Sequence, residues 1–250
     1  MVRRLRCAKL ALFFQLRIYL KKFADDRSRE WDAICKSFPN ALQSMINVPE
    51  SQLYLQPLVK YLEQFHPVSK ELIAHYEKNC RLVTVKKNKF ILSPFDNNNA
   101  MFFLLKGVVR GFIKEDKKDI STWFGFENQF LEAVRNPAQQ SNYSVEYIQA
   151  IEDCTLIEIP QKLTSSLYTA CPEANIIAKK LLSMHYYAAT ERSTLARIPT
   201  ALSRYLKLEK TGMDISRIPQ RYLASYLGIR FETLSRLRNR QLEKESLKTA

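Results

Sequence analysis

Residues 215–241 read ISRIPQRYLASYLGIRFETLSRLRNRQ, and the fold of the whole chain turns on this stretch. Pro219 suits the first turn of a helix, where its missing N–H costs nothing. Leu223, Tyr226 and Leu227 share one side of that helix, and Ala224 is small where a second helix must cross closely. Gly228 stands where a tight inter-helix turn needs a left-handed residue. A second helix is expected from about Phe231. On a wheel of about 100° per residue, Leu234 and Leu237 fall on one side with Gln241 beside them. Glu232, Ser235, Arg236 and Asn239 fall together on the opposite side. Those four carry the chemistry that reads base edges in the major groove: Arg to guanine O6 and N7, Glu from cytosine N4, Asn to adenine. Arg221, Arg230, Arg238 and Arg240 flank that face as candidate contacts to the DNA backbone. Counting Arg217 and Arg236, six arginines stand against the single acid Glu232 between positions 217 and 240.

The rest of the chain fits a polyanion-binding protein. Its 250 residues carry a formal net charge of +14, which favours nucleic acid or an anionic surface as partner. Five cysteines (Cys7, Cys35, Cys80, Cys154, Cys171) lie far apart, with none of the short spacings of a zinc or iron–sulfur site. An odd, scattered set points to reduced thiols and a cytoplasmic location. No apolar run is long enough to span a bilayer.

Moving outward, the segment 1–44 differs from the remainder. Leu12, Phe13, Leu16, Leu20 and Phe23 recur at helical spacing, interleaved with Arg17, Lys21 and Lys22. That suits a basic amphipathic helix on a membrane or partner, or an appendage outside the folded unit, with Met45 offering a second start. Residues 53–79 read as helical, punctuated by Pro57 and Pro67. Then the period changes. Arg81–Val85, Phe90–Ser93, Met101–Leu105, Val108–Lys114, Ile120–Phe126 and Tyr147–Ile159 are short β-rich runs separated by turn formers, which predicts a small antiparallel barrel or sandwich. After Pro172 helical character runs to about Arg197. Ala174, Ile177, Leu181, Met184, Ala188, Glu191 and Leu195 follow one another at alternating spacings of three and four, a heptad seam with one polar intruder. Ile177, Leu181, Met184, Ala188 and Leu195 are therefore the candidate dimer interface; the competing reading buries the same stripe within the chain. Pro199 opens a further helix, with Leu202, Tyr205 and Leu206 expected to face inward.

Ile218-Pro219, Leu223-Ala224-Ser225-Tyr226-Leu227-Gly228-Ile229 and Glu232-Thr233-Leu234-Ser235-Arg236-Leu237-Arg238 resemble the C-terminal helix-turn-helix of the Crp/Fnr family of bacterial regulators. The resemblance covers roughly 45–241. It implies an α+β chain of four parts. These are a basic extension (1–44), a jelly-roll effector domain like the cyclic-nucleotide-binding barrel (45–171), a long dimerisation helix (172–197) and a DNA-binding helix-turn-helix (198–250). It further implies a homodimer on near-palindromic double-stranded DNA, with Glu232 and Arg236 as the base-reading pair and RNA polymerase as a further partner.

The sequence departs from the family in three places. Arg230-Phe231 replaces the usual hydroxyl residue followed by Arg at the start of the recognition helix. Only nine residues, Leu242–Ala250, follow Gln241, too few for a full wing. In the barrel, Glu132-Ala133 stands where a Gly-Glu pair would hold a ribose, and Ser144-Val145 where an Arg would hold a cyclic phosphate. A buried phosphate without a cation or oriented donors is costly. Cyclic AMP is therefore not expected to bind, no cofactor or metal is predicted, and the effector is left unassigned. Paired catalytic carboxylates, a nucleophile with a base, a phosphate loop and a metal motif are all missing, so the chain is not read as an enzyme. The alternative function is a regulatory or scaffolding module, barrel plus coiled coil, that binds a protein partner or an anionic membrane.

Overall fold

In the computed structural model, strand β3 (Ala100–Lys106, AMFFLLK) sends large apolar side chains to both faces of its sheet. Phe102 and Leu104 point between two sheets, whereas Phe103 points outward into a helical layer. Strand β8 (Cys154–Pro160) repeats the pattern: Cys154 and Leu156 face the inter-sheet core, Ile157 and Ile159 the helices. Strands buried on both faces lose the clean alternation of a half-solvated sheet, which is why these runs read as nearly continuous apolar sequence.

The structure describes residues 50–97, 99–116, 118–133 and 143–249, so the reading of 1–44 lies outside the described residues, as do residues 134–142. Helix α1 (Glu50–Leu62) and helix α2 (Lys70–Asn79) precede β1 (Arg81–Val85), β2 (Phe90–Leu92), β3, β4 (Val109–Glu115), β5 (Lys118–Gly125), β6 (Phe130–Leu131), β7 (Tyr147–Ala150) and β8. Helix α3 (Gln161–Ala170), the long α4 (Pro172–Arg197), α5 (Ala201–Glu209), a 3-10 turn (Ile215–Arg217), α6 (Gln220–Leu227) and α7 (Phe231–Thr249) complete the chain. The strands form two four-stranded sheets in the orders β1-β8-β3-β6 and β2-β7-β4-β5, with antiparallel pairing throughout, a jelly-roll sandwich. Helices α1–α3 and the start of α4 cover the outside of the first sheet through Leu55, Leu58, Leu62, Leu72, Leu163, Leu167 and Ile177. The α+β class, with a jelly roll, a long helix and a helix-turn-helix in that order among the described residues, agrees with the expectation.

Several local readings are corrected. Pro57 does not punctuate the first helix but sits inside α1. An interior Pro costs about 3 kcal/mol or more. Full burial of Leu55, Leu58 and Leu62 stabilises the same helix by about 1.5–3 kcal/mol for each side chain, and so outweighs it. The run Tyr147–Ile159 is not one strand. It breaks at Ile151–Asp153, where the Ile151 N–H donates to the Val108 carbonyl at 2.9 Å, and β7 and β8 belong to different sheets. In α5, Tyr205 and Leu208 are buried while Leu202 is exposed, because Leu208 rather than Leu202 meets the core shared with α6 and α7.

Gly111 marks a tight point of the sandwich. A bulge follows it in the β4–β5 ladder, and a Cβ there would lie 2.1 Å from the Trp123 ring. Gly111→Ala is accordingly expected to lower stability by about 1–3 kcal/mol through overpacking. Equilibrium denaturation followed by Trp123 fluorescence measures it; an unchanged midpoint would mean that the indole moves aside freely.

Candidate nucleic-acid interface

Helices α6 and α7 make the helix-turn-helix, and the turn between them is built as the sequence requires. Gly228 adopts φ 60°, ψ 41°. The Gly228 N–H donates to the Ser225 carbonyl at 3.1 Å and the Ile229 N–H to the Ala224 carbonyl at 3.0 Å, the bond pair of a Schellman ending. Leu223, Ala224, Leu227 and Leu234 are buried together with Leu195, Tyr205, Leu208 and Ile218, which fixes the angle at which α7 leaves the turn.

That placement leaves one side of α7 open. Glu232, Arg236 and Asn239 are exposed and Ser235 is half-buried, while Leu234 points into the core and Leu237 packs beside it. The Arg236 Nε–H donates to the Glu232 carbonyl at 3.4 Å, which keeps the two candidate readers on one face one turn apart. Among the candidate backbone contacts, Arg230 and Arg240 are exposed and Arg238 is half-buried. Arg221 is exposed but leans on Tyr222, its Nη2 donating to the phenol oxygen at 2.7 Å. The exposed Phe231 opens the helix where the family has a hydrophilic pair. After Gln241 the backbone continues as α-helix to Thr249 instead of folding back as a wing.

Arg217 does not belong with the free arginines. Its guanidinium is held by two carboxyl groups of the barrel, with 2.7 and 2.9 Å contacts to Glu127 and 2.6 and 3.0 Å contacts to Glu152. Its hydrogen bonds to Glu127 and Glu152 raise its pKa further above the ordinary arginine value. Burial works to raise the Glu127 carboxyl, but the Arg217 and Gly107 N–H bonds outweigh it and hold that group below the usual carboxylate range.

The same interface holds a residue that sequence reading passed over. Arg110 on β4 is only 1% exposed, its guanidinium sandwiched between Phe112 at 3.9 Å and Tyr222 of α6 at 3.8 Å. Its Nη2 donates to Asp119 at 3.0 Å, while its Nε has no hydrogen-bond partner among the described residues. Burial lowers its pKa, partly offset by the Asp119 bond. The available signal was a lone cation inside the apolar run Val108-Val109-Arg110-Gly111-Phe112.

The long helix α4 splits the predicted seam. Ile177 is buried with α1–α3, Leu181 packs against the same cluster, and Leu195 is buried with the helix-turn-helix, so both ends of the stripe are covered within the chain. Glu191, the polar intruder, pairs with Lys207 of α5 at 2.8 Å. Between them Met184 is 47% exposed and Ala188 half-buried, next to exposed Leu182, Tyr186 and Tyr187.

In the barrel, Glu132 and Val145 are exposed, Ala133 and Ser144 buried. The Ser144 Oγ accepts the Glu146 N–H at 3.1 Å. Buried Glu146 accepts from Thr122 at 3.1 Å and from the Trp123 indole at 3.2 Å, placing an acidic group beside Ser144-Val145, where the resemblance would call for a cation. Among the described residues no group of three or more His, Cys, Asp or Glu is arranged to hold a metal. Burial pushes the Cys80 thiol up to about 12 and the Cys154 thiol up to about 11, so neither offers a ready thiolate. No helix among the described residues is long and apolar enough to cross a membrane.

No family model matches the sequence, and no curated protein matches it in sequence. Solved structures do match in shape. A mutant of CooA from Carboxydothermus hydrogenoformans superposes with a TM-score of 0.57 at 16% identity, covering 70% of this chain and 82% of that one. FixK2 from Bradyrhizobium japonicum gives 0.54 at 19% identity, over 67% of this chain and 86% of its own. A transcriptional regulator of the Crp/Fnr family from Eubacterium rectale gives 0.57 at 16% identity, over 74% and 88%. The chain therefore has the Crp/Fnr regulator fold: a cyclic-nucleotide-binding-like barrel, a long connecting helix and a C-terminal helix-turn-helix.

Gly228→Ala is expected to destabilise the chain by about 1–2 kcal/mol, the cost of a Cβ in the left-handed region. Thermal unfolding checks this, and a melting temperature equal to the parent's would show that the turn relaxes to another conformation.

Proposed function

We propose that this chain is a sequence-specific DNA-binding transcription regulator of the Crp/Fnr type that acts as a homodimer. The observation that carries the reading is the open face of α7: Glu232, Arg236 and Asn239 are exposed and Ser235 half-buried beside them, while Leu234 anchors the helix. Arg221, Arg230, Arg238 and Arg240 are the cations for flanking phosphates. Two such helices related by a two-fold axis meet half-sites about one helical turn, roughly 34 Å, apart. The neighbours described as Crp/Fnr or transcriptional regulators support the reading at the level of fold. The barrel does not hold a cyclic nucleotide in this proposal, because Glu146 lies beside Ser144-Val145 where a cation would be needed.

Selection from random duplex DNA with the purified protein tests the reading, and a selected near-palindrome is the expected result. Titration of selected and scrambled duplexes then separates the roles of the arginines. Arg236→Ala is expected to cost about 1–3 kcal/mol per half-site and to relax preference at one G·C pair. Arg238→Ala is expected to weaken all duplexes alike and to flatten the salt dependence by about one unit for each phosphate left without its cation. Equal losses on both duplexes for both variants would reduce Arg236 to another phosphate clamp.

The dimer contact in this proposal is the open middle of α4, around Met184, Ala188 and Tyr187. Ile177 and Leu195 are already occupied within the chain, and Leu181→Lys would disturb its own core. Met184→Glu is the cleaner probe. Light scattering at micromolar concentration is expected to find parent dimers and Met184→Glu monomers with unchanged circular dichroism; a monomeric parent would refute the α4 dimer.

A further inference from the structure

The barrel and the helix-turn-helix share a core: Val108, Phe124 and Ile151 of the barrel are buried with Leu223, Ala224, Leu227 and Leu234. Around that apolar centre lie three polar fastenings. The first is the Arg217 guanidinium between Glu127 and Glu152. In the second, Arg110, paired with Asp119 of the sheet, is capped by Tyr222. In the third, the Ser121 N–H donates to Ser225 Oγ at 3.0 Å, and that hydroxyl donates to the Asp119 carbonyl at 2.9 Å. Tyr222 and Ser225 belong to α6, the first helix of the motif, which in helix-turn-helix complexes crosses the DNA backbone.

The Arg217 cation at this end of the motif is thereby diverted. Two carboxyl groups hold Arg217, and Arg221 leans on the same Tyr222 that covers Arg110. A guanidinium held by two carboxyl groups offers no net positive charge to a phosphate, and phosphate neutralisation is the source of duplex affinity. We infer that the barrel competes with DNA for the first helix of the motif. The Glu127–Arg217–Glu152 clamp is an autoinhibitory latch, and its opening frees Arg217 for the DNA backbone. The inference rests on the DNA-binding reading above.

The latch also accounts for the incomplete hydrogen bonding of the buried Arg110. Its Nε lacks a partner among the described residues, and Asp119 is 44% exposed, so the docked state carries an uncompensated polar group that release returns to water. A contact built for permanence would satisfy every donor of a buried guanidinium.

The test uses the full chain and two readouts. Exchange of the Ser121 amide, whose proton goes to Ser225, reports docking without DNA. Titration with a short duplex of arbitrary sequence at two salt concentrations reports phosphate binding. Glu152→Gln and Glu127→Gln/Glu152→Gln are expected to speed Ser121 exchange at least tenfold. They should tighten duplex binding several-fold and steepen the salt dependence by about one unit for each phosphate newly neutralised in each protomer. Arg217→Met removes the clamp and its cation, whereas Arg217→Lys keeps the cation and loses only the planar fork that meets both carboxyl groups at once. The lysine variant is therefore expected to bind with a slope about one unit steeper than the methionine variant. Faster exchange with unchanged or weaker DNA binding would overturn the latch, because docking would then be neutral or productive. Unchanged exchange would overturn it as well, because the clamp would not be what holds the motif. If exchange quickens and no variant retains duplex at low salt, the DNA-binding reading itself fails; that result is distinct, because undocking has then been observed directly.

Discussion

The contact between the outer face of the second sheet and helix α6 is the constraint on which the rest of this structure depends. In a two-sheet sandwich an outer face is ordinarily solvated, with polar side chains alternating outward. Here Phe124, Ser121 and Arg110 lie on that face and are covered by α6; Phe124 meets Tyr226 edge-on at 5.3 Å. The first sheet is covered in the same way by α1–α3. Both sheets are thus sandwiched between apolar layers, and the helix-turn-helix serves as one of those layers. The position of α7, and so of Arg236 and Glu232, is inherited from how α6 sits on β5.

Burial of Arg110 is the energetic oddity of that contact. Taking a guanidinium out of water costs several kcal/mol even after relaxation. Two ring faces return about 2 kcal/mol each when desolvated, and the Asp119 bond is charge-assisted. These terms are of the same size, so Arg110 adds little net stability and its worth lies in geometry: a planar cation between Phe112 and Tyr222 admits one arrangement of α6 over β4. A leucine there would pack without specifying the angle. The apolar cluster of Val108, Phe124, Ile151, Leu223 and Leu227 supplies the attraction, and Arg110 with Arg217 supplies the register.

The sequence carried the helix-turn-helix almost completely, because every determinant there is local. Pro219, Ala224, Gly228 and Leu234 act within about a dozen residues, and their offsets state the turn, the crossing and the buried face. The sandwich was legible as a class from its change of period, but not its strand partition: Tyr147–Ile159 is continuous in composition, and only the pairing of β7 and β8 with different sheets divides it. Pro57 misled because local propensity was outweighed by burial of Leu55 and Leu58. The arginine count overstated the cationic face, since nothing near Arg217 in sequence announces Glu127 or Glu152 as its partners. Long-range ion pairs leave no periodicity to read.

The heptad stripe on α4 shows how one pattern can serve two purposes. Alternating spacings of three and four identify a side of a helix that is covered, without saying by what. Ile177 is covered by the helical layer and Leu195 by the helix-turn-helix, so α4 is the strut to which both halves of the chain are fastened. The pairing of Glu191 with Lys207 extends the strut's hold to α5. Along this stripe the middle, at Met184 and Ala188, is not covered within the chain. A partner docking there would bear on a helix whose two ends are each locked into a different core. The end that carries Leu195 leads through α5 to the helix-turn-helix.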